Sequence, residues 1–193
     1  MWIRKNQRIN VKKLNVQFIN AKPFPHIVLT DFFTEKIEQV RTALLNEHFE
    51  EQNSDLYQFQ QTDDCKNAVR PGLKEFHAFF GSIEFMVLIS KITGTKLKSI
   101  DMSGFIYDDT DYLLPHDDRL EGRKIAYIVQ LSKNFTKKDG GALQLFKENK
   151  VVKSVTPRFN SLIMFKVSPK SVHQVQEVLS DKKRMTLAGW FHG

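Results

Sequence analysis

The sequence predicts an α+β protein in which a helical first half leads into a β-rich jelly roll. Three observations carry that expectation. A length of 193 residues suits one domain with a full core. Apolar residues before residue 97 recur mostly at helical spacing, whereas beyond Lys98 short apolar runs are cut repeatedly by turn-forming residues. The whole of 1–193 is therefore expected to form one domain. Residues 1–97 would be mainly helical support, with a basic leader at 1–20, and residues 98–193 the β core.

In chain order, Pro23-Phe24-Pro25 punctuates the start, and His26 to Thr30 reads as one early strand. Thr34 is placed to N-cap a helix whose Ile37, Val40, Leu44 and Leu45 share a face. The stretch from Asn53 to Lys66 is polar. Beyond it, Leu73, Phe76, Phe79 and Phe80 repeat the helical spacing, and a further helix is expected from Ser82 as N-cap to Ile92, stopped by Gly94. The second half offers strands at 98–107, 112–118, 123–132, 142–147, 151–155, 161–166, 171–178 and 183–191. Asp108-Asp109, Gly122, Asp139-Gly140-Gly141, Asn149-Lys150, Pro157 and Asp181 separate them. So many short strands suggest a sandwich or jelly roll, the architecture of the cupins. Helices leading into such a half make the class α+β.

Composition excludes several classes. With 41% hydrophobic and 26% charged residues the chain reads as globular, not disordered. No apolar run approaches the ~20 residues that span a bilayer, so no membrane partner is expected. The start, Met1-Trp2-Ile3-Arg4-Lys5-Asn6, lacks the apolar stretch of a secretory signal. A single cysteine, Cys65, excludes an internal disulfide framework and suits a reducing, cytoplasmic setting. The net charge of +7 is concentrated at the start, in Arg4, Lys5, Arg8, Lys12, Lys13 and Lys22, with no acid before Asp31; the rest is close to neutral. Such an arm can touch RNA, a ribosome or an anionic surface, or be a solvated, frayed terminus.

The chemistry centres on Leu113-Leu114-Pro115-His116-Asp117-Asp118. Side chains alternate along a strand, so His116 and Asp118 share a face while Asp117 points away. His173 lies on the later strand candidate 171–178. Two histidines and one carboxylate on neighbouring strands make the facial triad of non-haem iron(II) oxygenases, which leaves coordination positions open for a co-substrate and O₂. His-x-Asp alone is a weak signal. The next strand strengthens it, because Arg184, Thr186, Ala188 and Trp190 share one face and alternate with Met185, Leu187, Gly189 and Phe191. An arginine among small residues and an aromatic suits a cavity floor where the guanidinium grips a carboxylate.

His116-x-Asp118, His173 and Arg184 together resemble the signature of the 2-oxoglutarate- and iron-dependent oxygenases. The wider text resembles their prolyl-hydroxylase branch, and within it the ribosomal prolyl hydroxylases. The stretches that carry this are Lys22-Pro23-Phe24-Pro25-His26-Ile27-Val28-Leu29, Ser54-Asp55-Leu56-Tyr57 and Asp111-Tyr112-Leu113-Leu114-Pro115-His116-Asp117-Asp118. Further on come Gly140-Gly141-Ala142-Leu143-Gln144-Leu145, Val167-Ser168-Pro169-Lys170-Ser171-Val172-His173-Gln174-Val175 and Gly189-Trp190-Phe191-His192-Gly193. The resemblance implies a double-stranded β-helix (cupin-like) with supporting N-terminal helices. It implies iron(II) on His116, Asp118 and His173, and 2-oxoglutarate on Arg184 with help from Tyr107. Asn160 and Trp190 match positions lining the site. O₂ is the oxidant, ascorbate an accessory, and the products are succinate and CO₂. The implied substrate is a prolyl residue in a protein of the translation machinery.

Two departures stand out. The family commonly has a second tyrosine against 2-oxoglutarate in the strand after His-x-Asp, and Gln130 occupies that place; it lies opposite the packing face of Ile125, Tyr127, Val129 and Leu131. The eukaryotic ribosomal enzymes also continue into another, degenerate β-helix domain, which these residues do not contain. Three other readings share the motifs: a hydroxylase of free amino acids, a nucleic-acid demethylase using the basic arm, and a catalytically silent binding module on the same fold. The near-neutral body speaks against the second, and the complete ligand set against the third.

Overall fold

A computed structural model describes residues 1–4 and 9–193. The helices are α1 (Val11–Asn20), α2 (Ile37–Leu44), α3 (Pro71–Phe80) and α4 (Ile83–Thr93). Helix α4 is bounded as its sequence predicts: Ser82 Oγ accepts from Phe85 N at 3.3 Å, and Gly94 closes the helix at φ 67°. Helix α3 starts with Pro71 in its first turn, where a missing N–H leaves no bond unmade. Thr34 does not cap α2. Its hydroxyl donates to Met1 O at 3.2 Å, and no side chain caps that helix.

The strands are β1 (His26–Leu29), β2 (Glu50–Ser54), β3 (Tyr57–Gln61), β4 (Ser99–Ile100), β5 (Ser103–Tyr107), β6 (Tyr112–His116), β7 (Arg123–Gln130), β8 (Leu143–Lys147), β9 (Lys150–Val155), β10 (Ser161–Lys166), β11 (His173–Val175) and β12 (Arg184–His192). They form one antiparallel sheet in the order β1-β10-β7-β12-β5-β3-β6-β11-β8-β9, with β2 on β3 and β4 on β12. The sheet curls into a half-barrel, the expected jelly roll. Its two ends meet through a side-chain bond, Lys153 Nζ of β9 to His26 Nε2 of β1 at 2.7 Å.

The polar stretch before Lys66 carries strand structure. It holds the end of β2 and all of β3, which form a hairpin, and β3 pairs with both β5 and β6, joining the two halves of the curled sheet. The run 98–107 divides into β4 and β5, with Asp101 and Met102 between them.

Period-two alternation divides β7 and β12 between two cores. Ile125, Tyr127 and Val129, with Met185, Leu187 and Phe191, bury under the helices against Phe80, Phe85 and Ile89. Ala126 and Ile128, with Ala188 and Trp190, face inward to Phe24, Leu143, Leu145 and Phe165. Full burial of one such large side chain contributes about 1.5–3 kcal/mol.

The expected leader is largely part of the folded body, although Lys5 and Arg8 lie outside the described residues. Trp2 packs on Phe76 and Phe79 at ring-centroid distances of 5.2 and 5.8 Å, and Ile3 bridges to Phe33. Helix α1 seats Phe18 in the helical core, and Asn15 Nδ2 donates to Ile92 O of α4 at 3.0 Å. The helix is amphipathic, so its lysines project while its apolar face anchors it. Phe18→Ala is therefore expected to destabilise the protein by about 3–5 kcal/mol, read as a lower urea midpoint at unchanged slope. Unaltered stability would return the segment to the status of a solvated arm.

Candidate active site

Two neighbouring strands supply the histidines. His116 ends β6, His173 opens β11, and the ladder register sets them directly opposite each other with ring centroids 4.2 Å apart. Asp118 arrives by a different route from the one strand parity suggests. The strand stops at His116; Asp117 pairs outward with Arg119 at 2.8 Å, and a left-handed turn at Asp118 (φ 62°) swings its carboxylate back. Asp118 Oδ1 lies 3.4 Å from His116 Nε2, and Oδ2 3.3 Å from His173 Nε2. Among the described residues this is the one cluster of three or more potential metal ligands.

The donor set fits a metal. Two bonds of ~2.1 Å at a right angle separate their donor atoms by about 3 Å, close to the spacings found. Each histidine spends its other nitrogen on a backbone carbonyl: His116 Nδ1 donates to Leu114 O at 2.9 Å, His173 Nδ1 to Ser171 O at 2.8 Å. Those bonds fix the tautomer of the neutral rings, whose free Nε2 faces Asp118. Phe165 packs edge-on against His173 at 4.5 Å and holds the buried ring in place. Burial opposes charge on both Asp118 and His116, but without a metal the attraction between a protonated His116 and the carboxylate outweighs it. The two imidazoles hold the carboxyl well below the usual carboxylate range, and Asp118 raises the His116 pKa.

These groups open onto a cavity of about 340 Å³ inside the half-barrel. Arg184 and Thr186 line it from β12, as do Ala188 and Trp190, and Tyr107 lines it from β5. Arg184 is 1% exposed. It sits opposite Tyr107 in the ladder with its guanidinium 4.8 Å from the phenol ring centroid, and Nε donates to Gly141 O at 2.8 Å. Among the described residues no carboxylate pairs with it. Burial lowers its pKa while Tyr107 opposes that; burial likewise raises the Tyr107 pKa and keeps the phenol protonated.

The loop that feeds Arg184 its carbonyl depends on glycine. Gly140 and Gly141 both have positive φ, and a Cβ on Gly140 would lie 2.1 Å from Glu177 O. Asp139 anchors the loop by accepting from Thr136 N and Oγ1 at 2.7 Å and by pairing with Lys182 at 2.9 Å.

Two expected site residues lie elsewhere. Asn160, at φ 61°, uses its amide to clip the backbone of Phe33, accepting from Phe33 N and donating to Phe33 O at 2.8 Å each. It ties strands to the helical layer and does not line the cavity. Gln130 pairs with Thr186 in the ladder, is fully buried and is not among the residues lining the cavity; its Oε1 accepts from Ser132 Oγ at 3.3 Å. Arg123, in contrast, lines the cavity although no sequence motif marks it; its guanidinium lies 3.3 Å from the Trp190 ring centroid. Strand parity would put Arg123 with Ile125 on the outer face. A register shift between Phe191 and His192 reverses that, and a bulge has no clear sequence signal here.

The site and fold define a class, which comparison with known proteins supports. The 2OG-Fe(II) oxygenase superfamily model matches residues 102–192, which form a 2OG-Fe(II) oxygenase domain. Among curated proteins it is similar to prolyl 3-hydroxylase OGFOD1 of Xenopus laevis, 43% identical over 186 residues, which cover 91% of this chain and 36% of the relative. The Mus musculus protein of the same name is 40% identical over 185 residues, covering 91% and 34% respectively. The chain thus spans about a third of the length of these curated relatives. Among solved structures, a Pseudomonas putida prolyl-4-hydroxylase superposes with TM-score 0.75 at 17% identity, covering 93% of this chain and 98% of that one. A Trichoplax adhaerens prolyl hydroxylase, in complex with a hypoxia inducible factor peptide fragment, gives TM-score 0.75 at 18% identity, covering 97% and 93%. These two likenesses show the shared fold.

Both imidazoles must be unprotonated to ligate, and the raised His116 pKa extends proton competition above the ordinary histidine value of about 6.5. Manganese(II), a redox-silent probe, should bind progressively more weakly in calorimetric titrations as pH falls through that range. His173→Ala should remove binding at every pH while leaving the fold intact. Undiminished manganese affinity in that variant would reject the metal centre.

Proposed function

We propose that this chain hydroxylates a prolyl residue of a protein substrate with iron(II), 2-oxoglutarate and O₂. The observation that carries the reading is a buried Arg184, with no carboxylate partner among the described residues, facing the same cavity as a His-Asp-His cluster. A buried cation without a partner is costly, so this wall favours an anionic co-substrate, and a guanidinium fork suits a carboxylate. The chemistry supplied when iron(II), 2-oxoglutarate and O₂ are bound is oxidative decarboxylation to succinate and CO₂, coupled to insertion of one oxygen atom into a substrate C–H bond.

The protein's own groups hold and orient. His116, Asp118 and His173 would hold iron(II) at the edge of the cavity. Arg184 would pair with the distal carboxylate of 2-oxoglutarate. Tyr107, kept protonated by burial, remains a hydroxyl donor beside it. Ala188, Ile128 and Trp190 line the cavity with apolar surface that excludes water and accepts a hydrocarbon ring.

A prolyl target follows from chemistry and from likeness. Proline has no N–H, so its ring enters an apolar pocket without leaving a donor unpaired. An extended peptide can lie along exposed strand edges and be held through its main chain. Similarity to proteins named prolyl 3-hydroxylase supports the residue type. The resemblance to ribosomal prolyl hydroxylases points to a protein of the translation machinery.

Incubation of the chain with prolyl peptides from ribosomal proteins, iron(II), 2-oxoglutarate and O₂ should release succinate and add one oxygen at proline, read by mass spectrometry. Succinate release only with free amino acids or oligonucleotides would reject the protein-hydroxylase reading. Arg184→Ala should raise the KM for 2-oxoglutarate by about two orders of magnitude or more, as expected when one partner of a buried ion pair is lost. Manganese affinity should be retained. An unchanged KM would remove Arg184 from co-substrate binding.

A further inference from the structure

The cavity wall made by Trp190 and Arg123 has a support that no motif announces. Strand β12 is paired on one side by β4 up to Phe191–Ile100 and by β5 from Ala188–Ser103. Between them the neighbouring strand is interrupted, opposite Gly189 and Trp190. Asp101 fills that gap. Its backbone N donates to Trp190 O at 3.2 Å, and its Oδ1 accepts from Trp190 N at 2.7 Å. One residue thus supplies both bonds that Trp190 would draw from an intact strand, with a carboxylate oxygen in place of a carbonyl.

Asp101 is itself held from three other directions. Tyr127 Oη donates to its carbonyl at 2.6 Å, and His192 Nε2 meets its Oδ2 at 2.9 Å. Gly189 lies so close that a Cβ there would come within 2.3 Å of Asp101 O and 2.7 Å of Oδ1. What this clamp holds is functional surface. Among the described residues the buried Trp190 indole nitrogen has no hydrogen-bond partner, and the ring carries Arg123, whose charge also feels Asp118 and Asp101.

We infer that Asp101 is a positioning residue: its carboxylate bridges the break between β4 and β5 and thereby sets Trp190, with Arg123 stacked on it, as the substrate-facing wall of the cavity. The inference rests on the proposed function for the word substrate, but not for the geometry.

The test exploits the tryptophan count. The chain has two tryptophans, so in a Trp2→Phe background Trp190 alone emits. Asp101→Ala in the full chain should raise the acrylamide quenching constant of that emission by about twofold or more, as the local structure loosens. Asp101→Asn, which retains an acceptor at Oδ1, should keep the parent value. If the alanine variant does not fold, Asp101→Ser carries the same expectation, because its hydroxyl is one atom too short to reach Trp190 N. Quenching unchanged in the alanine or serine variant, or an asparagine variant as loose as alanine, overturns the inference.

A second readout uses whichever prolyl peptide the parent hydroxylates. Asp101→Ala should raise the KM for that peptide by about tenfold and leave the KM for 2-oxoglutarate unchanged. Parallel rises in both KM values would mean general loosening and would also overturn it. If the parent hydroxylates no peptide, the hydroxylase reading fails while the quenching experiment still decides the role of Asp101.

Discussion

The site depends first on one cross-strand pair, His116 opposite His173. Their register brings two imidazoles within reach of a single carboxylate, and register in a sheet is all or nothing. A slip of one residue on β11 would turn His173 outward and every neighbour with it. The slip is resisted by the burial of Val175 on the same face and by β8, which pairs His173, Gln174 and Val175 from the other side. The turn at Asp118 then has only to return one side chain, and its strained φ is confined to one residue.

Arg184 imposes the second constraint. Its guanidinium is fixed from behind by the Gly141 carbonyl and from the side by Tyr107, so its orientation is set before any ligand arrives. That preorganisation makes glycine structurally necessary at Gly140 and gives the acid–base tie between Asp139 and Lys182 its purpose. The same principle runs through Asp101: groups facing the cavity are held by bonds from residues that face elsewhere. Binding surface of this kind loses little freedom when a ligand is taken up.

Much of this was legible in the sequence, for identifiable reasons. Strong alternation in β7 and β12 revealed both faces, and Ser82 and Gly94 bounded α4 because each acts locally. The triad was legible as residue types, although Asp118 takes its place through a turn and not through strand parity. What escaped reading depended on tertiary context. Hairpin β2–β3 is rich in Glu, Gln and Asn, poor strand formers, and its one hint was the alternation of Tyr57 and Phe59. The basic residues of the first segment masked the apolar face of α1. Asn160 matches a site position by pattern, yet its amide is consumed by the Phe33 backbone. Arg123 reaches the cavity through a register shift that composition does not reveal.

The division of β7 and β12 between two cores has a further consequence. One face of each strand belongs to the helical layer that holds the domain together, and the other belongs to the cavity. Thermal robustness and the character of the cavity are therefore written in alternate letters of the same two strands. A saturation map of residues 123–130 and 184–192 should show a two-residue rhythm, with heat tolerance failing at one set of positions and substrate choice changing at the other. The rhythm should lose phase at the bulge near His192. A fold arranged in this way lets selection retune the cavity with small loss of robustness, which makes the pocket-facing letters the natural starting point for altering what the cavity accepts.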